Sequence, residues 1–394
     1  MTKQPQPVNR RGFLRGMGGV GLGAMALGTG LSACSTRGLA SVPLAPAAAD
    51  RSTADGIVRF ANWLSYVDQA PGNPHQHPTL DEFTRRTRIA VDYSEPITGN
   101  EQFIGLIGIP LALGQGTGYD LVVLSDWVLA EFIQLGWAEP LSPQAVPNAA
   151  RLLPHFRNWP VPDVRQYSLP WQCGFTGIVY NEKVTRRPVT SMTDLLTSPD
   201  LHGKVSLATE TRDVLTLVML DMGINPVDFT DREFGAAVKV VSKAAQAGQI
   251  GIVTNYYLPE MIKGTIAAAV GWAGDYLNVR AKNPDIRFTW PQAGGGLWSD
   301  NLLIPAHAQH TQNAERLMNF YYEPDIAAQL SAFESYVCPV LGADVAMRKF
   351  DPALASERYI FPTPELLNSG HYFKLLTPQQ KAQYTARYQN AIGL

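Results

Sequence analysis

Short apolar runs alternate with stretches of helical periodicity from about residue 56 onward, and this alternation constrains the fold more than any other feature. The apolar runs predict strands over residues 57–63, 89–93, 119–124, 177–180, 205–208, 267–271 and 302–304. The periodic stretches predict helices over residues 80–87, 128–135, 214–222, 234–247 and 314–322. Strands that alternate with helices favour an α/β fold with mostly parallel sheets flanked by helices.

The first 33 residues have the pattern of an export signal. Arg10 and Arg11 precede a weakly apolar, glycine-rich stretch, and the segment contains no Asp or Glu. Paired arginines in this position are typical of a twin-arginine signal. The stretch over residues 16–31 is too short and too rich in glycine for a transmembrane helix, which needs ~20 mostly apolar residues. We therefore predict a signal over residues 1–33 and an exported, periplasmic or cell-envelope protein.

Residues 31–34 read Leu-Ser-Ala-Cys, which resembles the lipobox of bacterial lipoproteins. In this interpretation Cys34 is lipidated and anchors the chain to the outer face of the cytoplasmic membrane or to the outer membrane. The alternative is an ordinary cleavage site beside a chance cysteine. Residues 34–55 are rich in Ala, Pro, Ser and Thr, so they are predicted to form a flexible tether.

Composition and charge exclude some classes of protein. With 394 residues, 45% hydrophobic and 17% charged, the chain is typical of a globular protein of one or two domains. The formal net charge is −2, and it becomes −6 without the four basic residues of segment 1–33. This balance argues against a polybasic nucleic-acid-binding protein and suits a cationic ligand. Besides Cys34, the chain has Cys173 and Cys338, for which two buried free thiols are favoured over a disulfide bond.

Signatures of catalysis are missing from the sequence. It contains no G-x-S-x-G, H-E-x-x-H, C-x-x-C or G-x-x-x-x-G-K-[ST] pattern. We therefore predict that the protein is not an enzyme, and that it uses neither a cofactor nor a metal ion.

Tryptophans and carboxylates fall together after the predicted strands. The five segments are Asn62 to Tyr66, Leu124 to Trp127, Thr209 to Asp213, Gly271 to Asp275, and Gly295 to Asp300. Ligands of open α/β sheets bind beyond the ends of the strands. Aromatic faces and separated carboxylates together suit a flexible organic polycation, because carboxylates pair with ammonium groups and aromatic rings hold cations and methylenes. A single such residue is equally well explained as a core aromatic, a helix cap or a favourable charge at a helix N-terminus.

At these residues the sequence resembles the spermidine/putrescine-binding proteins of bacterial ABC importers, from about Ile57 to Phe373. The resemblance implies a two-lobed periplasmic-binding-protein fold of type II, with the ligand cleft between the lobes. Lobe I is expected over residues 56–166 and 299–345, and lobe II over residues 167–298 and 346–394. The expected function is to capture putrescine or spermidine and deliver it to an ABC permease and its ATPase, with the membrane reached only through the lipid anchor.

The resemblance also implies the residues that bind the ligand. Carried over position by position, they are Trp63, Ser65, Tyr66, Ser125, Asp126, Trp127, Glu210, Asp213, Trp272, Asp275, Trp298, Asp300 and Tyr336. Some positions depart from the family pattern. Leu64 and Ser65 stand where the spermidine-binding branch has a polar residue and an acid, Trp127 stands where tyrosine is common, and Phe373 replaces a polar contact. These departures leave the identity of the polyamine open.

Three alternatives remain at the level of sequence. The same fold binds other small nutrients or cations, including ferric ion held by neighbouring tyrosines, and Tyr256-Tyr257 and Tyr321-Tyr322 are such pairs. A lipid-anchored glycoside hydrolase would use carboxylates such as Asp275 and Asp300 as acid and base. A third alternative is a binding protein that reports ligand status to a sensor rather than to a permease.

Overall fold

One mixed β-sheet organises the part of the chain that the structure, a computed structural model, describes: residues 48–159 and 163–394. The predicted signal, the predicted lipidation site Cys34 and most of the predicted tether lie outside the described residues. The strands are β1 (Ile57–Trp63), β2 (Ala90–Ile97), β3 (Leu121–Ser125), β4 (Ser168–Asn181), β5 (Val205–Leu207), β6 (Ile250–Val253), β7 (Ala268–Trp272), β8 (Ile286–Thr289), β9 (Gly295–Leu303) and β10 (Gly370–His371).

Helices pack around this sheet. In the described residues they are α1 (Ser52–Asp55), α2 (Pro78–Thr87), α3 (Asn100–Ala112), α4 (Asp126–Leu135), α5 (Pro154–Arg157), α6 (Val164–Tyr167), α7 (Glu182–Thr185), α8 (Met192–Thr197), α9 (Thr211–Asp221), α10 (Asp231–Gln246), α11 (Leu258–Lys263), α12 (Ala273–Arg280), α13 (Thr311–Tyr321), α14 (Pro324–Glu334), α15 (Ala343–Met347), α16 (Pro364–Asn368) and α17 (Pro378–Ile392). Short 3-10 helices lie at Pro147–Arg151, Pro199–Leu201 and Leu354–Ser356. No helix in these two ranges has both the length and the apolar character needed to cross a membrane.

The order of strands in the sheet is β2-β1-β3-β9-β4-β7-β5-β6, with β10 beside β9 and β8 beside β4. Strands β1, β2 and β3 are parallel to one another, as are β5, β6 and β7, which agrees with the alternation of strands and helices. Strands β4 and β9 run antiparallel to each other and to β3, β7 and β8, whereas β9 and β10 are parallel. Strands β4 and β9 join the two parallel groups into one mixed sheet.

Two large hydrophobic cores flank the sheet, one for each parallel group. The first surrounds β1 and β3 and includes Phe60, Phe132 and Met318, whereas the second surrounds β5 and β7 and includes Val205 and Phe234. Each core buries apolar faces of helices against apolar strands, which is the main source of stability for such an arrangement. This is the two-lobed α/β architecture predicted from the sequence.

Some residues on either side of the predicted domain boundaries pack differently from expectation. Met347, Ile360 and Leu367 belong to the first core, although residues 346–394 were assigned to lobe II. At the other end, the predicted tether extends to residue 55, but Asp50 accepts a hydrogen bond from Thr311 Oγ1 (2.6 Å) and Ser52 Oγ accepts one from the Asn313 backbone (3.1 Å). The last residues of that segment are therefore fixed to α13, because their polar groups cap the start of that helix.

The sheet places the sequence-predicted segments at strand ends. Trp63 ends β1, Ser125 ends β3 and Trp272 ends β7, while Glu210 follows β5 by three residues. Helices begin directly after β3 and β7, at Asp126 and Ala273, and another begins after a short loop that follows β5, at Thr211. The carboxyl ends of the parallel strands therefore carry these residues into the region where β9 crosses between the two groups.

Candidate ligand-binding site

Asp300 lies on β9 opposite Ser125, the last residue of β3. Its carboxylate accepts hydrogen bonds from Ser125 Oγ (2.6 Å) and from Tyr66 Oη (3.0 Å). Ser125 is in turn held by Asn100, whose Nδ2 donates to Ser125 Oγ (3.0 Å) and whose Oδ1 accepts from the Ser125 backbone (3.2 Å). Three predicted residues thus meet at one carboxylate, with Asn100, the first residue of α3, as a support that the sequence did not reveal.

Asp275 forms a second such centre in the first turn of α12. Its carboxylate accepts hydrogen bonds from Tyr257 Oη (2.9 Å) and Tyr336 Oη (3.3 Å). The Tyr257 hydroxyl lies against Gly271, where a Cβ atom would come within 2.1 Å of it, so only glycine leaves room for this contact. Tyr336 was predicted for the site, whereas Tyr257 was considered only as part of a tyrosine pair.

A row of aromatic rings connects the two carboxylates. The Tyr336 ring lies edge-on to Tyr66 (centroids 6.2 Å apart) and to Trp298 (5.2 Å). Glycines make room for two of these rings, because a Cβ atom would approach the Trp298 ring to 2.1 Å at Gly174 and the Tyr336 ring to 2.3 Å at Gly274. Trp298 Nε1 is buried and has no hydrogen-bond partner among the described residues. Its donor is therefore available to a bound molecule.

Glu210 and Asp213 open helix α9, as predicted, but they have different surroundings. Asp213 accepts a hydrogen bond from Thr176 Oγ1 on β4. Glu210 occupies the position before the first helical residue without a side-chain cap. Asp213 is thus fixed by a neighbour, whereas the Glu210 carboxylate is the less constrained of the two.

Asp126 and Trp127 begin α4 and lie beside a cation that belongs to the chain itself. The Cζ atom of Arg212 lies 4.9 Å from the centre of the Trp127 ring and 5.2 Å from the centre of the Phe373 ring. Lys381 Nζ also lies over the Trp127 ring, at 5.0 Å. The sequence shows that the segment from Glu210 to Asp213 contains a positive charge at Arg212. It does not show that the Arg212 side chain reaches Trp127.

Burial raises the pKa of five predicted carboxyl groups in this region. The pKa rises to about 6 for Asp213, Asp275 and Asp300, and to about 7 for Asp126 and Glu210. Hydrogen bonds from hydroxyl groups oppose the rise at Asp275 and Asp300, whereas Arg212 opposes it at Asp126. All five side chains are partly exposed. Neutral donors alone do not compensate a buried negative charge, so this region favours a bound cation.

The remaining predicted residues, Trp63 and Ser65, lie at the end of β1. Trp63 Nε1 donates to the Val123 carbonyl (3.1 Å), which fixes the indole beside β3. Ser65 is exposed, has a left-handed backbone (φ 56°) and donates its backbone N–H to Glu95 Oε1 (3.0 Å). No hydrogen bond within the described residues joins Ser65 to the other predicted site residues; it instead brings the carboxylate of Glu95 to this loop.

The tyrosine pairs considered as ferric ligands have other partners. Besides the bond from Tyr257 to Asp275, Tyr321 Oη is 2.8 Å from Thr79 Oγ1, and Tyr322 Oη donates to the Pro170 carbonyl (2.7 Å). Tyr256 is 72% exposed. The members of each pair are therefore directed to different parts of the molecule.

Cys173 and Cys338 are both buried, free thiols, as favoured from the sequence. Cys173 pairs with Val337 through two backbone hydrogen bonds. Successive side chains of an extended chain point to opposite sides, so the residue after Val337 directs its thiol away from Cys173.

Comparison with known proteins gives a consistent result. A family of bacterial extracellular solute-binding proteins matches residues 109–354, more than half of the chain. The spermidine/putrescine-binding periplasmic protein of Escherichia coli is 28% identical over 314 residues, which cover 79% of this chain and 85% of that protein. The putrescine-binding periplasmic protein of the same organism is 26% identical and covers 80% and 87%, respectively. These matches confirm the resemblance inferred from the sequence.

Solved structures support the fold. A putative spermidine/putrescine ABC transporter protein from Listeria monocytogenes superposes with a TM-score of 0.74 at 23% identity, covering 85% of this chain and 98% of that one. A lipoprotein from Treponema pallidum gives 0.73 at 18% identity, covering 86% and 100%. These relatives are transport proteins that bind solutes and are not enzymes. The chain belongs to the family of bacterial extracellular solute-binding proteins.

Proposed function

We propose that the protein is an exported, lipid-anchored solute-binding protein that captures a polyamine, putrescine or spermidine, and delivers it to an ABC permease. The observation that carries this proposal is the pair of carboxylates Asp300 and Asp275, each bound only by hydroxyl donors and joined by the aromatic row of Tyr66, Tyr336 and Trp298. Two ammonium groups separated by methylenes match two carboxylates separated by aromatic rings.

The proposed binding residues come from both halves of the molecule. Tyr66 and Ser125 lie at the ends of β1 and β3, in the half built around the first core. Glu210 and Trp272 lie at the ends of β5 and β7, in the half built around the second core. A polyamine that contacts both groups binds the closed arrangement more tightly than an open one, and this difference in affinity drives closure. The closed protein then presents its cargo to the permease without any covalent chemistry.

Export and anchoring rest on the sequence. The twin arginines at residues 10 and 11 and the Leu-Ser-Ala-Cys sequence ending at Cys34 support a lipoprotein. Growth in labelled palmitate followed by immunoprecipitation tests the anchor: wild type should carry the label and a Cys34→Ser variant should not. Label retained by Cys34→Ser would contradict lipidation at this residue.

The binding proposal is tested by thermal-shift titration of the mature chain with putrescine, cadaverine, spermidine and spermine, with maltose and ferric citrate as controls. A ligand that binds only the native state raises the melting temperature in proportion to its concentration and affinity. We expect a saturable rise with at least one polyamine and none with the controls. A rise with a control alone would move the function to another nutrient in the same fold.

A further inference from the structure

Arg212 supplies a positive charge from within the chain to the group of site carboxylates. We call this group the acidic region; it consists of Asp126, Glu210, Asp213, Asp275 and Asp300. Arg212 is the second residue of α9, is partly exposed, and lies between the indole of Trp127 on α4 and the ring of Phe373. Its Nη1 donates to the Lys374 carbonyl (3.1 Å), which fixes one edge of the guanidinium. The plane is thus flanked by two aromatic rings and anchored at one nitrogen.

The charge of Arg212 acts on the site carboxylates. It lowers the pKa of Asp126, Glu210 and Asp213 relative to what burial alone would give. Burial lowers the pKa of Arg212 itself to about 10, which still leaves the guanidinium cationic at neutral pH. An aromatic face with carboxylates around it is an environment that binds an ammonium group of a polyamine. Arg212 therefore occupies a position that suits such a group.

The site carboxylates follow an order along the region. On one side, Ser125, the residue before Asp126, donates to Asp300. On the other side, Tyr66 donates to Asp300 and its ring contacts that of Tyr336, whose hydroxyl donates to Asp275. Asp300 therefore lies between two other carboxylates of the region. On one side is Asp275, whose hydrogen-bond donors are neutral hydroxyl groups, and on the other is Asp126, near Arg212.

We propose that Arg212 is a resident cation that occupies the Asp126–Trp127 end of the site and thereby restricts the ligand to the span between Asp300 and Asp275, favouring a diamine over a longer polyamine. The inference rests on the proposed polyamine-binding function and adds a specificity-determining residue to it. A third ammonium group would have to approach Arg212, and the repulsion between like charges in a partly buried region disfavours that approach.

Lys381 provides a matched control. Like Arg212, it places a cation near the Trp127 ring, at 5.0 Å, but it pairs with Glu131 (2.7 Å). Arg212 lowers the pKa of Asp126, Glu210 and Asp213, whereas the charge of Lys381 is balanced by its own partner Glu131. Removing either cation takes one positive charge from the same indole, whereas only Arg212 contributes charge to the site.

The experiment compares Kd values for putrescine and spermidine, by isothermal titration calorimetry, in wild type, Arg212→Gln and Lys381→Gln. We expect Arg212→Gln to shift the ratio of the two Kd values toward spermidine by about tenfold or more, the scale of one added charge-assisted contact. Lys381→Gln should keep the wild-type ratio within about twofold. Arg212→Lys, which keeps the charge, should also keep the wild-type ratio.

An unchanged ratio in a folded Arg212→Gln protein would overturn the inference, as would an equal shift in Lys381→Gln. If Arg212→Gln does not fold, Arg212→Met, which keeps an unbranched side chain without the charge, is judged by the same criterion. A wild-type protein that binds neither amine would overturn the proposed function together with this inference. Binding of both amines with an unmoved ratio would overturn this inference alone.

Discussion

The two ends of the acidic region differ in where positive charge comes from. At Asp300 and Asp275 the donors are hydroxyl groups, which satisfy lone pairs but carry no charge. At Asp126 the nearby guanidinium of Arg212 supplies a cation from within the chain. Hydrogen bonding and charge compensation are separate requirements, and a partly buried carboxylate needs both. Positive charge at the first end must therefore come from outside the chain, whereas at the second end part of it is supplied by Arg212.

The largest expected effect is at Asp300. Replacing it with Asn keeps the shape and the acceptor for Tyr66 or Ser125 but removes the counter-charge for an ammonium group. We expect polyamine affinity to fall about 30-fold or more, equivalent to ~2 kcal/mol. Titration calorimetry with the amine that wild type binds best measures the change.

Two further variants test whether this effect is local. Asp228→Asn removes the same charge from an exposed loop residue and should leave affinity unchanged. Asp126→Asn should cost less than about threefold, because the charge of Arg212 already acts on that carboxylate. Equal losses in Asp126→Asn and Asp300→Asn would remove the distinction between the two ends.

A smaller loss is expected at Trp298, which provides a ring and a free indole donor between Asp300 and Asp275. Trp298→Ala should weaken polyamine binding about tenfold, since stacking of a cation on an aromatic face is worth roughly 1–2 kcal/mol when water is excluded. Trp298→Phe separates the two contributions, because it keeps a ring and removes the donor. Full wild-type affinity in Trp298→Ala would exclude the aromatic row from the site.

The architecture follows from local sequence where one signal dominates. Strand β1 was predicted at its observed bounds, residues 57–63, because five of its seven residues are apolar and only Arg59 and Asn62 are polar. The clustering of Trp63, Ser125 and Trp272 near β9 could also be anticipated, since parallel strands place their carboxyl ends at one edge.

Other elements escaped sequence reasoning for physical reasons. Residues 168–176 of β4 were missed because both faces of this strand are buried, which removes the alternation that marks a half-exposed strand. Helix α3 was missed because Gly105, Gly108 and Pro110 interrupt its pattern.

The missed side chains of the candidate site depend on tertiary packing. Arg212 contacts Trp127 only because α9 and α4 approach each other from different halves of the molecule, and Tyr257 reaches Asp275 across a glycine of β7. Asn100 had a local signal, since it follows the end of β2 after a Gly99, but its partner Ser125 is set by the sheet. Sequence identified the chemical types in the site better than it identified their pairing.

The dependence of affinity on pH should be smaller but should separate the same two ends. Asp275 and Asp300 have pKa values of about 6, so lowering the pH from 8 to 6 half-protonates each in the free protein. An ammonium group binds the ionised forms, and affinity should fall about fourfold over this range. In Asp300→Asn one of these titrations is gone, so the decrease should be about twofold. A decrease of affinity with rising pH between 6 and 8 would contradict carboxylate recognition.

The smallest effect is on the stability of the ligand-free protein, and its pH dependence differs between the ends. The raised pKa of Asp300 means that its ionised form destabilises the native state; this cost is fully present above pH ~6 and disappears as the pH falls toward the unfolded value near 4. Asp300→Asn should therefore raise the melting temperature at pH 8 by about 1–3 °C, with the gain vanishing near pH 4. Asp126→Asn should give a gain at least as large, because burial raises the pKa of Asp126 further, to about 7, despite the nearby charge of Arg212. Differential scanning calorimetry of both variants between pH 4 and pH 8 measures the contrast: the gain should level off near pH 6 in Asp300→Asn and near pH 7 in Asp126→Asn. A loss of stability in Asp126→Asn at pH 8 would show that Arg212 stabilises the ionised acid by more than burial penalises it.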